Sequence, residues 1–323
     1  MAILAKQKIL TLDYWKLAHN LQKGDIVFDR QGCPRKVTLV QEYHAPICYS
    51  VVFSDKLEIG GDQNLNFLVE NKTYRRQISL YKGVRKFKRK LQLVNVADLI
   101  NPKTQYSLPT TDPLKLPHQT LPVPPFIFGF WFFNRRSTKM MAPPKGMAEV
   151  IHGAFRDHGY KIREHELLAT GEKTFSVKPT IDSQLAGIET YKIPTNYLMG
   201  SDEQRIELLK GIIQESPHRV AAKKGTYKFI SNNYHIILQM QWLLESLGHR
   251  IHVYHDTWIN NYKIKFTSKL PLMPGQTPPK SLIHGGRRYI QKVNKLQGQL
   301  CVHIETDGPD NTVLVEEGFI ACL

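Results

Sequence analysis

The chain has 323 residues, enough for two domains or for one domain interrupted by another. Lys and Arg exceed Asp and Glu by 44 − 28 = 16, and with a pI near 9.6 this points to a polyanionic partner, since basic side chains release counterions from phosphates. With no apolar run of about 18 residues, no leader-like start and no Cys or His at ligand spacing, a membrane span, a signal peptide, a zinc site and a disulfide framework are not expected, and the chain reads as soluble and intracellular.

Residues 1–70 carry short β-branched and aromatic runs, GDIVF, KVTLV, CYSVVFS and LEIGG, separated by the turn signals DRQG and SDK. This spacing predicts an all-β unit. The stretch 72–93 is densely basic with Tyr74, Tyr81 and Phe87 interleaved; Arg75, Arg76, Arg85, Lys86, Lys88, Arg89 and Lys90 are candidate phosphate contacts. Residues 101–124 are polar and Pro-rich and read as a linker that closes a first segment, 1–100.

From residue 125 the pattern turns helical. PPFIFGFWFFN predicts a buried helix, and AEVIHGAFRDHGY an amphipathic helix ended by glycine. SDEQRIELLKGII opens at an N-cap, Ser201, with acids in its first turn. YHIILQMQWLLESLGHRI has apolar residues at helical spacing and closes at Gly248. Two α+β halves, 125–190 and 197–270, make up a domain over 125–270, followed by a linker, 271–280. Residues 281–323 return to strands: LCVHIET, the turn DGPDN, then TVLVEEGFIACL. A tail this short is expected to complete the sheet begun at the N-terminus, which makes the chain an α+β protein with an insertion in a β domain.

Five segments, in order, resemble one family. ILAKQKILTLDYWKLAHNLQKGDIVFDRQGCPRKV with CYSVVFSDKLEIGGDQNLNFLV is similar to the N-terminal part of an intein (Hint) domain, and LCVHIETDGPDNTVLVEEGFIACL to its C-terminal splicing region. LPVPPFIFGFWFFN resembles the first LAGLIDADG helix and KIPTNYLMGSDEQRIELLKGIIQES the second. KGTYKFISNNYHIILQMQWLLESLGHRI resembles the strand and helix that follow the second motif. The resemblance is to an intein carrying a LAGLIDADG homing endonuclease. It implies an all-β Hint-like domain split by a pseudo-twofold domain of two αββαββα repeats.

Splicing begins with a thiol or hydroxyl at the intein's first position. The resemblance puts Ile3 there, Leu65 where a histidine polarises the scissile bond, and Asn311 at the next histidine. The end, Phe319-Ile320-Ala321-Cys322-Leu323, lacks the final His-Asn, with Leu323 in the place of Asn and Cys322 read as a buried structural cysteine. Splicing is therefore expected to be lost, in a free-standing product of phage or mobile-element origin. LAGLIDADG cleavage uses one carboxylate from the C-terminal end of each motif helix, the pair holding Mg²⁺. Those positions fall on Asn134 and Ser216, with Glu215 one residue off, about a quarter turn around the helix. Cutting is expected to be lost as well, with no cofactor; Mg²⁺ is implied only if some nuclease activity survives. Gly129 and Gly211 keep small contacts at the helix crossing, while Phe133 and Pro217 replace glycines usual in the family.

What the resemblance leaves is binding, because LAGLIDADG halves lay antiparallel strands into major grooves. Lys139, Lys173, Lys223, Lys224, Lys228, Lys263 and Lys265 join the basic run as candidates, and alternation in TYKFIS and NYKIKFTS puts Lys228, Lys263 and Lys265 on faces distinct from the apolar ones. The expected role is a catalytically silent nucleic-acid-binding or structural protein of the host cytoplasm or a virion, with no membrane. Double-stranded DNA leads as partner, followed by RNA and by a protein assembly such as a phage particle. Two rivals are an active endonuclease using Glu215 and a protein-binding scaffold subunit.

Overall fold

A computed structural model describes residues 2–72, 91–100, 105–134, 141–167, 171–185, 192–215, 225–258, 260–268, 270–274, 287–316 and 318–322. They fall into two units, Met1–Lys115 with Gly286–Leu323, and Leu116–Gly285.

The spine of the first unit is a pair of antiparallel strands of 20 residues each, Pro34–Phe53 and Arg287–Thr306, in register from Phe53↔Ile290 to Val37↔Thr306. KVTLV and CYSVVFS are therefore parts of one strand, with no turn between them. Pro46 passes across from Gly298, where a Cβ would come within 2.7 Å of the Ala45 carbonyl oxygen; the bare glycine lets the backbones close in. The terminal strand Ala2–Leu4 lies between Glu58–Asp62 and the second spine strand. Its alternation serves two cores. Ile3 joins Ile9, Val51, Phe53, Phe67 and Val302, while Ala2 and Leu4 join Ala45, Cys48 and Cys301.

Both ends of the chain meet in this sheet. Val313–Val315 pairs with Ile320–Cys322 and, through Val315↔Ile9, with Lys8–Thr11. Glu316 Oε1 accepts from Gln7 Nε2 at 2.7 Å and from the Lys8 amide at 3.0 Å. Inside the stretch read as a linker, Tyr106–Pro109 is a strand. It pairs with Arg287–Tyr289 and with Glu70–Asn71, beside a buried Arg287 Nε–Glu70 Oε2 ion pair of 2.5 Å. Only four residues long, the strand was masked by the prolines around it.

In the second unit, the first half runs helix Pro125–Asn134, helix Ala148–Asp157 and the strand pair Lys161–Leu167 and Glu172–Lys178. The second runs helix Asp202–Glu215, strand Thr226–Ser231, helix Tyr234–Ser246 and strands Ile251–Asp256 and Asn261–Thr267. The boundaries follow local chemistry. Ser201 Oγ accepts from the Gln204 amide at 3.3 Å while Gln204 Oε1 accepts from the Ser201 amide at 3.1 Å, a reciprocal capping box. Gly248 sits at φ +75°, and the His249 amide reaches back to the Leu244 carbonyl at 2.9 Å, closing the helix.

Helices Pro125–Asn134 and Asp202–Glu215 cross at two glycines. A Cβ on Gly211 would sit 2.1 Å from the Phe126 carbonyl oxygen, and one on Gly129 would sit 2.5 Å from that of Leu208. Phe133 packs edge-on against Phe132 and Phe229. Among the described residues, no helix is long and apolar enough to cross a membrane.

Candidate nucleic-acid interface

Asn134 ends the first motif helix, with its side-chain amide doubly engaged. Nδ2 donates to the Ala142 carbonyl at 2.7 Å and Oδ1 accepts from the Ala142 amide at 2.8 Å. The neighbouring Met141 exchanges backbone hydrogen bonds of 2.9 and 2.8 Å with Phe175, so the amide ties the helix end to the sheet. An aspartate here would have no donor for the Ala142 carbonyl. A hard dication wants anionic oxygen; Asn134 offers a neutral oxygen already in use and an N–H face that disfavours a cation. The residue does not fit Mg²⁺. Among the described residues, no three or more His, Cys, Asp or Glu side chains gather into a metal-holding group. Glu215 ends the second motif helix, while Ser216 and Pro217 lie outside the described residues.

The residues that the sequence resemblance sets at splicing positions serve packing and a turn. Ile3 and Leu65 are fully buried in the main core of the first unit. Asn311, at φ +47°, accepts from the Thr306 amide at 2.8 Å through Oδ1 and closes the turn after the spine strand. Cys322 is buried, and burial pushes its thiol pKa upward. Leu323 lies outside the described residues.

The basic candidates divide by strand register. In the second half, Ile264 and Phe266 face the core, so Lys263 and Lys265 take the opposite face. Across the sheet Lys265 stands between Lys228 and His252, and Lys263 between Ile230 and Tyr254. Lys263 Nζ is paired with Asp256 Oδ2 at 2.5 Å, whereas Lys228 and Lys265 have no ion-pair partner among the described residues. Tyr254 is 53% exposed on this face, and Trp258, near the tip of the hairpin, is 95% exposed. Two large aromatics this open are available to stack.

In the first half, Phe175 and Val177 are core residues, and Lys173 shares their side of the strand. The opposite face carries the rung Lys161↔Lys178, with Arg163 beside Ser176. Lys173 is exposed but shares the side of Phe175 and Val177, while Lys161 and Arg163, which the sequence reading did not name, stand with Lys178 on the opposite face. Their signal lay in the phase fixed by Phe175 and Val177. Arg75, Arg76, Arg85, Lys86, Lys88, Arg89, Lys90, Lys139, Lys223 and Lys224 lie outside the described residues.

No protein-family model matches the chain. A curated replicative DNA helicase DnaB of Mycobacterium intracellulare is 25% identical over 252 residues, 73% of this chain and 40% of that protein. The chain thus spans two fifths of the relative's length. Among solved structures, the MchDnaB-1 intein matches with 16% identity over 32% of this chain and 65% of that one, at a TM-score of 0.24. Mesophilic variants of the homing endonuclease I-DmoI match with 9% identity over 45% of this chain and 89% of that one, at a TM-score of 0.33. The similar structures are thus of inteins and of a LAGLIDADG homing endonuclease. The architecture is α+β, mostly sheet with few helices.

Proposed function

We propose that the chain is a duplex-DNA-binding protein of intein and homing-endonuclease ancestry that neither splices nor cuts. The observation that carries the silence of the nuclease is the Asn134 amide, spent on both backbone groups of Ala142. Ile3 and Leu65, buried and without a nucleophile or a proton-transfer group, support the loss of splicing. Binding is supported by the net charge of +16 and by the Lys228, Lys265 and Lys161, Arg163, Lys178 faces. Antiparallel ribbons favour DNA over RNA, because the B-form major groove admits a two-stranded ribbon while the A-form one is too narrow to read.

Equilibrium binding to mixed-sequence duplex DNA tests this. With six or more phosphate contacts, affinity falls by about three to five decades between roughly 50 and 200 mM salt. Replacing Arg163, Lys228 and Lys265 together by Ala lowers the salt slope by about three. A flat salt response rejects DNA binding, and Mg²⁺-dependent cutting of plasmid restores the endonuclease reading. Placed between two reporter domains, the chain stays one uncut species in mass spectrometry; ligated reporters would refute the loss of splicing.

A further inference from the structure

We infer that Cys48 and Cys301 form a reversible disulfide that joins the two sequence-distant parts of the first unit. Their Sγ atoms lie 3.7 Å apart, although the residues are 253 positions apart in the chain. Both side chains are fully buried, beside Ala2, Leu4 and Ala45. Strand register alone does not bring them together: Cys48 stands opposite Leu296, and Cys301 opposite Tyr43. In a straight ladder, the five residues from Tyr43 to Cys48 would hold the two sites roughly 16 Å apart. The spine must therefore fold back on itself between them, at the Pro46 and Gly298 crossing. A second contact reports the same fold. Tyr43 Oη donates to Asp62 Oδ2 at 2.7 Å, and Asp62 is the strand partner of Cys48 on its other side.

The sulfurs need to close from 3.7 Å to a bond of about 2.0 Å, a movement within the reach of side-chain rotation. Oxidised glutathione supplies the oxidant. One thiolate attacks its S–S bond and releases one glutathione thiol; the second thiolate then displaces the other. Two protein S–H groups become one S–S bond, and one glutathione disulfide becomes two thiols. Burial pushes the Cys301 thiol up to about 12, so thiolate is scarce. Leu4 pairs directly with Cys301, and opening of the terminal strand Ala2–Leu4 admits the oxidant.

The test treats the full native chain with oxidised glutathione, alkylates the remaining thiols and maps peptides without reduction. A peptide pair joined through Cys48 and Cys301 is expected, reversed by dithiothreitol, together with a Tm several degrees above that of the reduced chain. Cys48→Ser loses both. Recovery of Cys48 and Cys301 as alkylated free thiols after Cys33 has fully reacted overturns the inference, as does a cross-link running through Cys33 or Cys322. Should Cys48→Ser fail to fold, the wild-type peptide map alone decides.

Discussion

The two halves of the second unit pass through the same sequence of elements, a motif helix, a strand contact, a second helix and two antiparallel strands, yet they fill it with different chemistry. In the first half the strand contact is one bridge, Met141 on Phe175; in the second it is a whole strand, Thr226–Ser231 on Asn261–Thr267. The first motif helix is aromatic nearly all round and offers the interior no charge. The second buries Arg205 completely, its guanidinium donating to the Gly200 carbonyl at 2.9 Å and the Ser246 carbonyl at 2.8 Å. What the halves share is backbone, namely the glycine at the crossing and the left-handed glycine after each second helix, Gly159 and Gly248. The crossing glycines have no room for a Cβ, and the glycines after the second helices hold a positive φ that L side chains rarely adopt, so backbone demands are kept where side chains diverge.

Breaking the shared part has the largest expected effect. Gly211→Val puts side-chain carbon onto the Phe126 backbone and should cost about 4 kcal/mol or more, read by chemical denaturation. The slightly looser Gly129 site should lose less on the same change. Wild-type stability in Gly211→Val would show that the crossing is not the shared constraint.

The sites after those left-handed glycines sharpen the comparison. In the first half the residue is Tyr160; in the second it is His249, which burial pushes down to about 4. Unfolded histidine titrates near 6.5, so between these values the unfolded chain holds the extra proton. Stability of the second unit should therefore fall as pH drops from about 6.5 to 4, by roughly 3 kcal/mol at most. In His249→Gln the slope over this window should flatten; an unchanged slope places the acid sensitivity elsewhere.

Asn134→Asp tests the end of the first motif helix. It removes the donor to the Ala142 carbonyl and sets a carboxylate against it, at an expected cost of about 2 kcal/mol near neutral pH. Burial and the carbonyl raise the folded pKa of the new acid, so between the two pKa values the folded state binds the extra proton, and the penalty shrinks as pH falls toward the unfolded value of about 4. Thermal melts across pH measure this, and a variant as stable as wild type at neutral pH would remove the clamp. The smallest effect concerns Lys173→Ala, which should leave DNA affinity within about twofold, since Lys173, though exposed, stands on the opposite face of the strand pair from Arg163, whereas Arg163→Ala should weaken binding measurably. Equal losses would mean that strand phase does not sort the contacts.

Much of this was legible in the sequence where the signal is local. The Ser201 cap, the Gly248 stop and the alternation around Lys228, Lys263 and Lys265 are written within a few residues of where they act. Long-range facts were not. KVTLV and CYSVVFS read as two separate runs, and what joins them, the passage of Pro46 across from Gly298, lies some 250 residues away in the chain. The Cys48 and Cys301 contact depends on the same fold in the spine, and no spacing rule reaches that far. Asn134 was readable as a missing acid, but its bond to Ala142 depends on where the chain returns after the helix.

The strand Tyr106–Pro109 lies against Arg287–Tyr289, with Pro109 directly across from Arg287. For the first unit, everything between those two residues is one closed loop whose ends are already hydrogen-bonded neighbours. The entropy of closing a flexible loop grows only logarithmically with its length, about 0.6 kcal/mol for each doubling. Lengthening, shortening or replacing the chain beyond Lys115, whose amide still donates to the Gly32 carbonyl, thus changes little for the sheet that holds its ends. The first unit can carry a large passenger at this rung, or a short turn, at nearly the same thermodynamic cost.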